Sequence, residues 1–394
     1  MEINSNPMND ILQIHRNQCT GCCSCMNTCP KNCISIVTDD TGFLYPIIDF
    51  ETCIHCGLCV KKCPIYTPLL SSNTSDPEIY AAWSLNPDTR YNSTSGGIFS
   101  EMAAYVLSQD GFVVGARYTK KFLVEHYIIS NAVDIQQLRQ SKYVQSTIGM
   151  IFRQISEILS LNKLVLFCGT PCQIAGLKAY LGKEYTNLIL IDFICRGVNS
   201  PKAYEKYLEM VETKYKSQIK KVWFKNKTYG WNRFSTQIEF ENGKIYRKDR
   251  YNDLFMRGYL EFNLYMRESC HSCQFKGLPR LSDISLADFW GVGSSDSKLD
   301  ENKGTSMVIL HSEKGKGLFS EIKPHIFSQL SNMNTAVKGN MCLVTPPRMN
   351  YNRADFLHSL DNMPFDKCLK KYISVKEYYL PPLIKNVQKI VHMI

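Results

Sequence analysis

The sequence predicts an α/β protein (α+β overall): a small N-terminal α+β module of ferredoxin type, followed by a mixed-sheet α/β body. Three observations carry this. Two cysteine runs crowd the first 64 residues. Strand-like and helix-like stretches alternate through the middle of the chain. And 394 residues, 44% hydrophobic and 21% charged, suffice for a substantial core in two or three domains.

The cysteine runs are Cys19-Thr-Gly-Cys22-Cys-Ser-Cys25-Met-Asn-Thr-Cys29-Pro30 and Cys53-Ile-His-Cys56-Gly-Leu-Cys59-Val-Lys-Lys-Cys63-Pro64. Each reads C-x2-C-x2-C-x3-C-P, the spacing of two-cluster bacterial ferredoxins. Three thiolates within seven residues face one [4Fe-4S] cube, while the fourth, before a proline, reaches the other cube. Cluster one is therefore assigned to Cys19, Cys22, Cys25 and Cys63, and cluster two to Cys53, Cys56, Cys59 and Cys29. Structural zinc prefers two separated C-x2-C pairs. Disulfides need an oxidising compartment, and Met1 to Leu12 is polar with no apolar signal core. Cys23 and Cys33 fall outside the ligand register and read as small buried hydrophobes.

Residues 1–70 form the module. Between its cysteine runs, Ile34 to Val37 and Phe43 to Ile48 flank Asp39-Asp-Thr-Gly42, a hairpin with Asp and Gly at the turn. Residues 71–78 are a linker rich in Ser, Asn and Thr. The first part of the body, 79–160, opens on a strand from Glu78 to Trp83. A helix follows Ser95-Gly96-Gly97, paired strands span Phe112 to Tyr118 and Phe122 to Ile129, and a helix covers about 146–161. In the second part, 161–345, Lys163 to Phe167 and Asn187 to Ile194 are buried-strand runs. Helices from Pro171 to Leu181 and from Pro201 to about Tyr215 follow them, so the sheet is partly parallel. Strands are expected around Val222, Phe234 to Phe240, Ile245, Asp283 to Asp288 and Ser306 to Leu310. All belong to one α/β body. Residues 346–394 read as a tail whose end, Leu383 to Ile394, carries an amphipathic helix for a core or partner contact or, less favoured, a membrane surface.

Seventeen cysteines point to a reducing, cytoplasmic setting. The formal net charge is +10, but each cube with four thiolates carries about −2, and a dinucleotide adds about as much. Basic residues are dispersed with no nucleic-acid motif, so nucleic acid is not an expected partner. No apolar run approaches the ~20 residues of a transmembrane helix.

Seven stretches, in order, resemble the coenzyme F420 hydrogenase/dehydrogenase beta-subunit family. They are Ser93 to Phe99, Ser141 to Ser146, Leu166 to Leu177, Asp192 to Val198, Lys225 to Trp231, Cys270-His-Ser-Cys273, and Asp283 to Gly291. The resemblance implies an iron–sulfur flavoprotein oxidoreductase that exchanges electrons between FAD, [4Fe-4S] clusters and a substrate. That substrate is coenzyme F420 or, in a bacterium, a surface-polysaccharide precursor. The alternative is an electron-transfer subunit of a larger complex with no substrate of its own. Ferredoxin or another redox protein is the implied electron partner.

By itself Ser95-Gly96-Gly97 reads as a plain N-cap serine with a turn. In its motif it is assigned to the flavin diphosphate, where bare backbone N–H groups meet phosphate. Lys142 adds positive charge there, with Tyr143 and Gln145 beside it. By themselves Cys172 and Cys195 read equally as buried core thiols, and Cys270-His-Ser-Cys273 as an isolated or zinc-binding pair. The resemblance implies that the four form a third [4Fe-4S] site, with Cys168 as the alternative to Cys172. Asp192, Asp283, Asp288 and Arg280 either serve a substrate or form a salt bridge. No catalytic residue is singled out, and no GxGxxG fingerprint is present.

Overall fold

The computed structural model describes residues 10–73 and 76–374. In the module, β1 (Ile34–Thr38) and β2 (Leu44–Ile48) form the expected antiparallel hairpin. Its turn is closed by Asp39, whose carboxylate accepts from the N–H of Thr41 (3.1 Å) and Phe43 (2.8 Å), with Gly42 at φ +84°.

The body is built on one mixed sheet. In chain order its strands are β3 (Glu78–Ser84), β4 (Phe112–Tyr118), β5 (Val124–Ile129), β6 (Val165–Gly169) and β7 (Leu188–Phe193). After β8 (Ile219–Asn226), β9 (Ser235–Phe240) and β10 (Ile245–Asp249) come β11 (Ile284–Asp288), β12 (Ser306–Leu310) and β13 (Ile326–Leu330). The eight-stranded order is β13-β3-β12-β11-β7-β6-β4-β5. Neighbours from β11 to β4 run parallel, and the flanking pairs antiparallel. The parallel centre needs both faces covered. Helices Ile98–Ser108 and Glu313–Ile322 cover one face through Met102, Val106, Leu318 and Phe319. Helices Ile151–Ser160 and Pro171–Leu181 cover the other through Phe152, Ile155, Ile174 and Leu177.

The structure departs from the sequence reading in four places. The helix expected from 146 begins at Ile151, because Thr147 bonds to Val124 and His126 in β5 and Gly149 turns at φ +56°. Strands β8 to β10 form a separate three-stranded antiparallel sheet. The weakly patterned stretch at β13 becomes an edge strand, zipped onto β3 from Ile326 to Leu330. And 346–374 is packed rather than a tail: helices Arg353–Ser359 and Phe365–Tyr372 bury Phe356, Leu357, Phe365, Cys368 and Leu369 in the aromatic core with Tyr207, Phe255 and Tyr265. The expected amphipathic helix at Leu383 to Ile394 lies outside the described residues.

The module is seated in the body rather than tethered to it. Phe43 and Tyr45 join the aromatic core around Tyr204, Phe255 and Tyr265, and Cys23 packs beside Ile151 and Ile174. Arg267, fully buried, donates from Nε to the Cys19 carbonyl (2.8 Å) and from Nη1 to the Leu44 carbonyl (3.0 Å). Arg153 donates to the carbonyls of Asn27 and Cys29, each at 2.7 Å. Buried guanidinium groups bonded to backbone carbonyls fix one orientation, since each displaced bond leaves a buried donor unpaired.

Candidate functional site

The tight αL turns at Gly21, Cys23 and Gly57 wrap the cysteine loops. In the first set, burial pushes the Cys22 thiol up to about 12, and the neighbouring Cys63, Cys172 and Cys19 push the same way. Burial likewise raises Cys25 well above its ordinary value, reinforced by Cys22, Cys23, Cys19 and Cys63. Crowded buried thiols resist ionisation until a metal centre supplies positive charge. The second set encloses a small cavity lined by Cys29, Cys53, Cys56 and Cys59. Cys33 lines it too, its sulfur 3.2 Å from that of Cys29, and its thiol also bonds to Cys53. The sequence reading placed Cys33 as a mere packing residue. It is buried, as expected, but its contact with the Cys29 sulfur also places it to tune a cluster, because hydrogen bonds to cluster sulfurs set the reduction potential. Cys33→Ala is expected to lower the potential of one of the two clusters by roughly 20–60 mV, the equivalent of about 0.5–1.4 kcal/mol. A potentiometric titration followed by EPR reads this directly, and an unchanged potential refutes the role.

In the body, Cys172 sits at the start of the Pro171–Leu181 helix, which opens with a Thr170–Gln173 capping box. Cys195 follows the C-terminal end of β7, and Cys270 lies in the 3-10 turn Glu268–Ser272 with Cys273 next to it. Burial raises the Cys172 thiol, and Cys273, Cys195 and Cys270 add to the rise. Cys195 is pushed up to about 12 by burial, then by Cys270 and Cys273. Cys172 and Cys195 thus each lie within electrostatic reach of Cys270 and Cys273. Cys168 does not join them: burial again dominates its rise to about 12, but its charged neighbours are Asp192 and Lys142. Among the described residues no group of three His, Cys, Asp or Glu side chains is placed to hold a single metal ion. A cube is a wider group with its ligands spread around it.

Beyond Cys195 opens a cavity of ≈ 570 Å³ at the C-terminal ends of β6, β7 and β11, where open α/β sheets place ligands. Its volume lies in the usual range for a cofactor site. Ser93, Thr94, Ser95 and Gly97 form one wall, ahead of the Ile98–Ser108 helix, which has no side-chain cap. Arg139, Lys142, Arg196, Arg250 and Lys338 also line it, and none has an ion-pair partner among the described residues. Arg196 Nε and His126 Nδ1 are buried there without a hydrogen-bond partner. Cations without an ion-pair partner, and the unbonded Nε–H of Arg196, fit a dinucleotide's phosphates.

The expected flavin residues divide. Ser95, Gly97, Lys142 and Tyr143 line the cavity, while Gly96 and Gln145 do not. Ser95 Oγ donates to the Thr305 carbonyl (2.7 Å), and the Gly96 N–H donates to Ser306 Oγ (2.9 Å). A Cβ on Gly96 would strike the Ala82 carbonyl, so this glycine is required by packing on β3. Gln145 faces the module: its Oε1 accepts from the Leu44 N–H (3.1 Å) and Arg267 Nη1 (3.3 Å). Lys142 Nζ donates to the carbonyls of Leu138, Arg139 and Gln140, and burial lowers its pKa to about 7.

The Lys225 to Trp231 motif holds residues that the sequence alone did not assign. Lys225 Nζ pairs with Asp288 at 2.6 Å, and Trp231 Nε1 donates to the other carboxylate oxygen at 2.7 Å. Lys227 Nζ donates to the Ser95 carbonyl (2.5 Å) and the Arg90 carbonyl (2.6 Å), fixing the cavity turn from behind. Arg280 pairs with Asp192 at 3.5 Å rather than with Asp283 or Asp288.

Comparison with known proteins places three segments of the chain in known families. "Coenzyme F420 hydrogenase/dehydrogenase, beta subunit N-term" matches residues 79–152, and the C-terminus of the same subunit matches 162–335. A 4Fe-4S dicluster domain matches residues 18–66. The ferredoxin-type protein NapF of Haemophilus influenzae is 35% identical over 54 residues, 14% of this chain and 29% of that protein. An uncharacterized ferredoxin of Methanocaldococcus jannaschii is 35% identical over 51 residues, 13% of this chain and 65% of that one. The chain thus spans less than two thirds of either relative. A chain from a xenon-derivatised F420-reducing [NiFe] hydrogenase complex of Methanosarcina barkeri is 18% identical with a TM-score of 0.44. That match covers 77% of this chain and 94% of the other. No helix among the described residues is long and apolar enough to cross a membrane. The paired cysteine runs hold two [4Fe-4S] clusters, and the chain belongs to the coenzyme F420 hydrogenase/dehydrogenase beta-subunit family.

Proposed function

We propose an iron–sulfur flavoprotein oxidoreductase. Besides its two N-terminal clusters it holds a third [4Fe-4S] cluster at Cys172, Cys195, Cys270 and Cys273, and FAD in the large cavity. One observation carries the reading: the cysteine sets and the cavity stand in series. Gly176, one turn past Cys172, packs so closely on the first set that a Cβ there would lie 3.0 Å from Cys22 Sγ. At the other side of the body set, Cys195 itself lines the cavity. That is the order in which single electrons from the module reach a cavity-bound reaction. FAD supplies the exchange between single electrons and an electron pair.

The chain's own residues bind and orient. The Ser93 to Ser100 turn and Arg139 take the phosphates, with Lys142 adding charge, and Tyr143 and Trp290 supply aromatic walls. The remaining cations, Arg196, Arg250 and Lys338, suit an anionic small-molecule substrate: coenzyme F420 or a surface-polysaccharide precursor. Ferredoxin or another redox protein is the electron partner, and the thiol-rich chain works in the reducing cytoplasm.

Titration of the anaerobically purified full chain with FAD, followed by flavin fluorescence, tests this. Lys142 is held near 7 by burial, so it is charged below that pH and neutral above. FAD affinity is expected to fall about tenfold, or 1.4 kcal/mol, as pH rises through and somewhat above 7, since a bound diphosphate pulls the pKa upward. Lys142→Met is expected to flatten the profile. Failure to bind FAD at any pH sinks the reading.

A further inference from the structure

We propose that a small one-electron carrier protein docks over the second cluster, on the surface formed by Phe50, Ile54, His55 and Cys56. The inference rests on the relay reading above and names the place where that relay meets its donor or acceptor.

The module's two ends are unlike. At the first cysteine set, Cys22, Cys25 and Cys63 are buried, and the body closes over them through Gly176 and Arg267. At the second set the chain faces outward, and Cys56 is the one exposed cysteine of the eight ferredoxin ligands. A redox partner has to bring its own centre close, so an exposed ligand sulfur marks the approach. Around it the surface is apolar. Ile54 is 56% exposed and Phe50 47%, and the Phe50 ring stacks on His55 at 6.1 Å. His55 itself is held at φ +50°, a conformation uncommon for a residue other than glycine, which turns its side chain out of the C-x2-C loop.

The flanking charges are mixed, Lys31 and Lys61 against Asp49 and Glu51, all exposed or nearly so. Neither sign dominates, so the contact is a small apolar patch rather than an electrostatic funnel. That is the composition of a brief electron-transfer encounter, which lies at the low end of interface size. A stable subunit would need a larger continuous apolar area. A carrier protein therefore fits this face.

The test is stopped-flow reduction of the full, cluster-loaded chain, read from bleaching of the iron–sulfur absorbance. Two reductants are compared: a reduced two-cluster [4Fe-4S] ferredoxin, and dithionite. The double variant Phe50→Gln/Ile54→Gln is expected to slow reduction by ferredoxin at least tenfold, with the dithionite rate within twofold of wild type. Leu330→Gln, equally exposed but on the far edge strand β13, is expected to change neither rate. Iron, sulfide and EPR signals equal to wild type establish that the variants are intact. An unchanged ferredoxin rate in the double variant overturns the proposal, as does equal slowing by Leu330→Gln. So does no reduction by ferredoxin at all. If deletion of residues 2–9 speeds ferredoxin reduction while the double variant has no effect, the face is covered by the chain's own N-terminal segment and the proposal falls. Because bleaching of the clusters is read before any flavin signal, failure of docking is distinguishable from failure of the flavoprotein reading.

Discussion

Cys172→Ser is expected to remove one cluster and disconnect the rest. Iron should fall from about twelve to about eight atoms per chain, four for each cube, while the EPR signals of the two N-terminal clusters persist. Reduction of bound flavin by way of the module should slow by a factor of a thousand or more, because Cys172 stands between Cys22 and the cavity-lining Cys195. Cys168→Ser is the matched control. Its charged neighbours are Asp192 and Lys142 rather than other thiols, so iron content should stay at wild type. A chain in which Cys168→Ser loses iron and Cys172→Ser does not would invert the ligand assignment.

Lys225→Met is expected to be the most destabilising single change near the cavity. Lys225 is almost fully buried and its ammonium meets Asp288 at 2.6 Å, between the faces of Phe234 (4.3 Å) and Trp290 (4.5 Å). Burial alone drives its pKa down, and Asp288 restores part of the loss. Removing the cation takes away the direct salt-bridge partner of Asp288 and leaves it the Trp231 N–H and the more distant charge of Lys227. Breaking a buried pair costs about 3–5 kcal/mol. The denaturant midpoint should drop accordingly. Lys225→Met/Asp288→Asn should recover most of the drop, since neither charge then remains. Recovery distinguishes an uncompensated carboxylate from lost packing, which the second substitution would not repair.

The legibility of this chain differs from element to element for physical reasons. The helices Pro171–Leu181 and Pro201–Tyr215 begin and end as read, because each opens on a proline behind a capping residue and such signals lie within a few residues. The helix at Ile151 was placed early, because the turn before it is held by bonds to β5 that no local pattern records. β13 and the two C-terminal helices owe their place to what they pack on. Ile326 to Leu330 becomes a strand only because β3 has a free edge, and Phe356 and Phe365 find an aromatic core assembled from distant segments.

The site divides in the same way. Ser95, Gly97, Lys142 and Tyr143 line the cavity, whereas Gln145 is turned toward the module and Gly96 is fixed by backbone packing. Lys225 and Lys227 sat inside a quoted motif, yet their work depends on Asp288 and on the Ser95 carbonyl, which sequence proximity does not reveal.

What the sequence determined by itself is the pair of ferredoxin clusters. Their eight ligands lie in two short runs, and spacing within a tight loop already dictates which sulfurs face one cube. What only the tertiary structure shows is which cysteines lie within electrostatic reach of Cys172, on which the proposed third cluster rests. It also decided the cavity with its unpaired cations, and which cluster faces the body and which faces out. These depend on parallel strand order and on two arginines, the buried Arg267 and the half-buried Arg153, that bond the module to the body. Such contacts join residues far apart in the chain, so no local spacing encodes them.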